Sequence, residues 1–308
     1  EIMSSDWSSD VCSSDLVLIT CSNNKTSSIG GILKVYDLEQ FDLMFSEDVF
    51  VSSCAVYKGD NYFYGAGGKQ IIIWDLSGNR LGYIALNSSA DHIALSADGE
   101  MLAISSNRGH DKVRIISAQT GKPLLALEQP MHRLFSPNGP IFCRGDRLLL
   151  MGGGRSGEVY GWELEKGSIV HTFSHDEHPE RKITNPHLEV TPSILAIAVS
   201  DDDRLLASAD DTKQIHIWDI DNTSIVESFR LEKKEAIELF FFDQNRYIVI
   251  ATSHSVEFYD LFAGELIYIH TVEGHFIKSA YCLEEKKMIA LGFHDGTVHL
   301  LRIQNKSN

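Results

Sequence analysis

Cationic residues are scarce in this 308-residue chain: 27 Lys and Arg stand against 43 Asp and Glu, a formal charge of -16. Nucleic acid and anionic membrane surfaces are bound mainly through clustered Lys and Arg, so neither is an expected partner. A protein or peptide of basic or neutral character fits this balance better. No run of about 18 consecutive apolar residues is present to span a bilayer as a helix. The five cysteines lack a CxxC pair or a zinc-finger spacing. Apart from Cys12 they read as small buried strand residues (Cys21, Cys54, Cys143, Cys282), which suits a reducing, cytoplasmic setting. A long amphipathic helical pattern is missing between Val17 and Asn308, which argues against an alternating α/β fold. Catalytic signatures are missing as well. There is no nucleophile elbow and no HExxH, and the glycine-rich stretch 152–157 lacks the Gly-Lys-Ser/Thr ending of a phosphate loop, so it reads as a turn.

Residues 1–16 differ in character from the rest. Asp6 to Leu16 match, codon by codon, one reading frame of a common short-read sequencing adapter, and the chain starts at Glu1 instead of Met. The expected organisation is a non-native segment, residues 1–16, followed by one domain, residues 17–308. Trp7 and Cys12 are expected to carry no function.

From Val17 onward the sequence repeats. Aromatic-acid pairs close short apolar runs at Tyr36-Asp37, Trp74-Asp75, Trp162-Glu163, Trp218-Asp219 and Tyr259-Asp260, with degenerate copies around Ile116 and Leu301. Successive markers are 38, 42, 46, 56, 41 and 42 residues apart. Most of these intervals lie near the period of roughly 40–45 residues of a four-stranded propeller blade. The copy at 195–229 is the clearest. It reads as an inner apolar strand, the turn 201–203, a second strand 204–209, a polar turn, a third strand ending at Trp218-Asp219, and an outer strand 224–229. An all-β propeller of seven blades follows.

These repeats resemble the WD-repeat family, and the resemblance covers essentially everything after Leu16. The family's structural tetrad joins a His, a Ser or Thr, an Asp and the Trp of the third strand in a buried hydrogen-bond network. The fifth blade offers Ser208, Asp211 and Trp218 but no evident His; the seventh offers His275 and Asp295, with Leu291 and Leu301 where Ser and Trp would stand. In this family the chain's first strand usually becomes the outer strand of the last blade, which removes an exposed sheet edge. The first blade is expected to lack its innermost strand, and the last blade its closing strand, both through N-terminal truncation.

The resemblance implies a protein-interaction scaffold, not an enzyme, acting without a cofactor and as a monomer apart from its partner. Two alternatives remain: a sensor or docking domain of a longer protein, or a metal-dependent propeller enzyme of lactonase or lyase type. His171, His175, Asp176, Glu177, His178 and His187 are the nearest approach to a ligand set, read here as a solvated loop without metal. His216, His270 and His299 read as structural. The longest interval contains an insertion, residues 175–189, on the face that carries the loops into each innermost strand and the turns between second and third strands. The partner site is placed on that face, at Arg108, Met131, His132, Arg133, Arg155, His178, Arg181 and Phe276, because Arg and aromatic side chains supply most binding hot spots.

Overall fold

The computed structural model describes residues 9–13, 17–23, 31–57, 62–106, 113–128, 139–175 and 192–303, with backbone only at 9–13 and 22–23. These residues form seven antiparallel sheets arranged as blades of a β-propeller, and no helix occurs among them. In the fifth blade the strands run Ile194–Val199, Leu205–Asp210, Gln214–Asp219 and Ser224–Arg230, in that order from the axis outward. All seven markers lie in third strands, as the spacing predicts: Gly31–Asp37, Gln70–Asp75, Val113–Ser117, Glu158–Glu163, Gln214–Asp219, Ser255–Asp260 and Val298–Arg302.

The aromatic-acid pairs owe their recurrence to two local demands. At the acid, the chain must turn back into the outer strand, and the carboxylate caps that turn. Asp37 accepts N–H bonds from Glu39 and Gln40, Asp75 from Ser77 and Asn79, and Asp260 from Phe262 and Ala263. At the marker, the pairing with the outer strand shifts register in all six four-stranded blades, for example between Ile217 and Trp218. Such a bulge adds twist at the point where the blade meets its neighbour.

Second strands are covered on both faces, which is why Leu148–Gly152 and Tyr247–Thr252 read as unbroken apolar runs. Apolar side chains in or just after several outer strands pack against the next blade. Ile84 packs with Ile116, Leu127 with Trp162, Phe173 with Trp218 and Phe229 with Tyr259. Phe173 is completely buried, its ring edge-on to Trp218 at 5.6 Å, and Phe229 lies parallel to Tyr259 at 3.7 Å. The same seam explains Gly121: at φ 68° it turns so close to the preceding outer strand that a Cβ would stand 2.3 Å from Ile84.

A second link runs along one face. The turns between first and second strands are joined blade to blade by backbone N–H groups donating to the next turn's side chain. Ala97 and Asp98 donate to Asp146, Arg144 to Asp203, Asp201 to Asn245, and Asp243 to Glu284.

Two expectations need correction. The first blade has four strands: Ser9–Ser13 occupies the innermost position, paired antiparallel with Val17–Asn23 and lying beside Ile277–Leu283 of the seventh blade. A strand at this position is held by its backbone pairing, so it needs none of the apolar content that marks the other strands. Cys54, expected as a small buried strand residue in a reducing setting, is buried but disulfide-bonded, while Cys21, Cys143 and Cys282 are free; the partner lies outside the described side chains. The seventh sheet has three strands, with Val298–Arg302 at its edge among the described residues.

Two outcomes follow. Phe173→Ala is expected to lower unfolding free energy by about 3–5 kcal/mol in urea titrations, since it empties a fully buried aromatic site between two blades. In hydrogen exchange, amides of Val298–Arg302 are expected to exchange faster than those of Gln214–Asp219, which pair on both sides.

Candidate functional site: the upper face

Strands alternate in direction, so the loops into each innermost strand and the turns between second and third strands share one face. Backbone bonds tie the two sets together. His175 donates its N–H to Gly157, Ile194 to Gly154, Leu231 to Lys213, Ile277 to Ser253 and His294 to Phe276. Two of the candidate residues are described, and both sit on this framework. Arg155 is exposed in the turn between Leu148–Gly152 and Glu158–Glu163. The glycine-rich stretch around it is a turn, closed by Gly153 N–H to Glu158 and leading into a strand. Phe276 is 53% exposed, and its ring stands edge-on to His254 at 4.7 Å. Arg108, Met131, His132, Arg133, His178 and Arg181 lie outside the described residues.

Beneath this face the fifth blade holds a complete four-residue network. His175 Nε2 pairs with Ser208 Oγ at 2.7 Å, Trp218 Nε1 donates to the same oxygen at 2.8 Å, and His175 Nδ1 bonds Asp210 Oδ2 at 2.9 Å. All four residues are buried, at most 5% exposed. Asp211, expected in the network, is not its acid, and the histidine expected to be lacking is present. Asp210 is the network's carboxylate, while Asp211 accepts the Ser193 N–H. The missing His is His175, separated from its strand by the insertion. A signal for Asp210 was present in the Asp-x-Thr pattern. Asp210 Oδ1 takes the N–H and hydroxyl of Thr212, and Asp295 Oδ1 takes those of Thr297. In the seventh blade His275 and Asp295 do meet, at 2.8 Å, and His299 packs between His275 and Phe293.

The other tryptophans are satisfied differently. Trp74 donates to the Glu47 carboxylate at 2.7 Å and Trp162 to the Glu128 carbonyl at 2.8 Å, both on the preceding blade's outer edge.

Two of the metal candidates are described, and each has a partner of its own. His175 is committed to the network, and His171 Nδ1 lies 3.2 Å from Thr223 Oγ1. Asp176, Glu177, His178 and His187 are outside the described residues. Among the described residues no group of three or more His, Cys, Asp or Glu is placed to share an ion. The axial cavity, about 1020 Å³, is lined largely by apolar residues of the innermost strands, including Ile93, Leu195, Ile197 and Phe241, with His92 and Glu238 among them. His216, expected to be structural, stacks edge-on against His175 at 4.5 Å and on Trp218 at 5.2 Å.

Burial pushes the Asp210 carboxyl up, but bonds from His175, Thr212 and Gln214 outweigh it and hold the group below its ordinary 3.8. A carboxyl with a depressed folded-state pKa stabilises above its unfolded value and loses that contribution as pH falls through the folded value. Asp210→Asn is therefore expected to be less stable by about 2–3 kcal/mol near neutrality. Its stability, followed by urea unfolding from neutral pH downward, should fall less steeply below about pH 4 than that of the parent chain.

The sequence model of one protein family, described as Regulator of MON1-CCZ1 complex, N-terminal, matches residues 163–265. That segment runs from the end of the fourth blade's third strand, through the whole fifth blade and its four-residue network, to the start of the sixth blade's outer strand. No curated protein is similar enough to match the chain. This third of the ring thus resembles the N-terminal region of a regulator of a multi-protein complex.

Proposed function

We infer that this chain is a non-catalytic protein-interaction scaffold of the WD-repeat kind, whose upper face docks a protein or peptide partner of basic or neutral character. The observation that carries this reading is the match of residues 163–265 to a family of complex regulators. Two features support it. The buried His, Ser, Asp and Trp groups are engaged with one another and hold strands together, a use of polar chemistry that builds a rigid platform. On the upper face, a half-exposed Phe276 and an exposed Arg155 are set on hydrogen-bonded loops, a combination suited to hot-spot contacts on a preorganised surface. The chain acts without a cofactor, as a monomer apart from its partner.

A purified MON1–CCZ1 complex is the partner to try first. The chain is expected to bind it saturably, and simultaneous replacement of Arg155, Arg181 and Phe276 by Ala should weaken binding at least about tenfold, roughly 1.4 kcal/mol. Failure of the parent chain to bind would overturn this partner. Undiminished binding by the triple variant, with loss on changing Asp221 and Asn222, would place the site on the opposite face.

A further inference from the structure

One seam of the ring is built on imidazoles. In the second, fourth and fifth blades the outer-strand residue opposite the position three before the marker is Ile84, Phe173 or Phe229. These side chains pack on the marker of the following blade, Ile116, Trp218 or Tyr259. The sixth blade has His270 at this position, opposite Val256, and the marker that follows is Leu301. Two residues before Leu301 stands His299, in the register of His216. Its ring lies 4.5 Å from that of the fully buried Phe293 and 6.1 Å from that of His275.

The loop over this seam is tied to both blades. Val272 and Ile277 donate their N–H groups to the carbonyls of His254 and Ser253 in the sixth blade, and His294 of the seventh donates to the carbonyl of Phe276. His254 stands edge-on to the Phe276 ring, with its Nδ1 2.7 Å from Ser253 Oγ. His275 reaches Asp295 at 2.8 Å, but Leu291 stands where the fifth blade has Ser208, so the second strand offers this imidazole no hydroxyl. The His275 side chain is 42% exposed, against 1% for His175. Among the described residues, the further charged groups at this end of the two blades are Glu273, Lys278 and the buried Glu257, which accepts the Ser255 hydroxyl.

An imidazole in water takes up a proton at about pH 6.5. In this seam the charge is disfavoured: burial first, and His275 beside it second, push the His299 imidazole below its ordinary 6.5. A His whose folded-state value is depressed loses folding stability as pH falls through about 6.5 toward that value. Asp295 can pair with a cation at His275, and that cation then opposes a second one at His299. We propose that the seam between the sixth and seventh blades is a pH-sensitive latch beneath the docking face, closed while His270, His275 and His299 are uncharged and loosened when this cluster takes up protons in mildly acidic solution. Loosening releases the loop 272–277 and with it Phe276. The latch is a property of the chain alone; that it governs docking rests on the upper-face reading above.

Hydrogen exchange of the whole chain at about pH 7.5 and about pH 5.5, corrected for the intrinsic pH dependence of amide exchange, tests the latch. Protection of Ile277–Leu283 should fall at least about tenfold between the two, while that of Gln70–Asp75 changes less than about twofold. The second blade, residues 53–85, holds no histidine and so serves as the reference. His270→Phe together with His299→Phe puts apolar side chains at both positions and should abolish the fall. If two Phe side chains do not fit, His299→Asn, smaller and uncharged, replaces the pair and should reduce the fall at least about threefold. Equal protection at both pH values overturns the proposal, as does a fall that persists in the uncharged variants or extends equally to the second blade. Binding of the purified MON1–CCZ1 complex should weaken at least about tenfold over the same interval. Equal binding at both pH values overturns the latch's hold on docking, whereas a complex that binds at neither counts against the docking reading and leaves the exchange result to decide the latch.

Discussion

Coverage of two-faced sheets is the constraint on which the rest of this structure depends. Each blade has a second strand apolar on both sides, so neither face can be left to water, and only a neighbouring blade of matching shape can cover it. The outer strand provides the coupling: Phe173 on Trp218 and Phe229 on Tyr259 fix the distance and angle at which one blade meets the next. Repetition of that contact around the axis makes the blades mutually dependent, as in any repeat whose unit cannot bury its own core. The Trp N–H groups follow from the same need. With their rings driven into the seams, they find acceptors in Glu47, Glu128 or Ser208, according to what each seam offers.

The acidic balance takes on a different meaning beside these contacts. Many of the carboxylates are occupied with backbone. Asp37, Asp75, Asp219 and Asp260 cap turns into outer strands, Asp210 and Asp295 cap turns into third strands, and Asp146, Asp203 and Glu284 receive N–H groups from the preceding blade. A propeller has a tight turn at nearly every strand end, and Asp is well suited to such turns because its side chain mimics a backbone acceptor. Part of the acidic composition is accordingly explained by turn chemistry, while the capping carboxylates keep their charge and remain part of the surface a partner meets.

The blade pattern was legible in the sequence because it rests on local rules. The marker pair needs an aromatic for the seam and an acid for the turn, and both requirements act on adjacent residues. The four-residue network was harder to read because it is assembled across distance. His175 is separated from Ser208 by the long insertion, so the spacing that would announce it is stretched beyond recognition. The choice between Asp210 and Asp211 turned on which of two adjacent acids points inward, which the Asp-x-Thr pattern shared with 295–297 would have decided. Ser9–Ser13 gave no signal, since a polar strand paired through its backbone looks like any Ser/Asp-rich segment. Of the proposed upper-face residues, Arg155 and Phe276 lie in described loops and are exposed. Their exposure reflects neighbours that no periodicity encodes.

The chain of turn-to-turn bonds from Ala97 to Glu284 has a bearing on how such a molecule changes over generations. Each link requires a backbone N–H and a side-chain acceptor in the next turn at fixed positions, with left-handed residues such as Asp146, Asp203 and Asn245 shaping the turns. An added or deleted residue there would break two links at once, one on each side. On the opposite face the two ends of the longest interval, His175 and Ile194, are anchored by backbone bonds to Gly157 and Gly154. A change of length is accordingly expected to be absorbed between such anchored ends more readily than inside a linked turn.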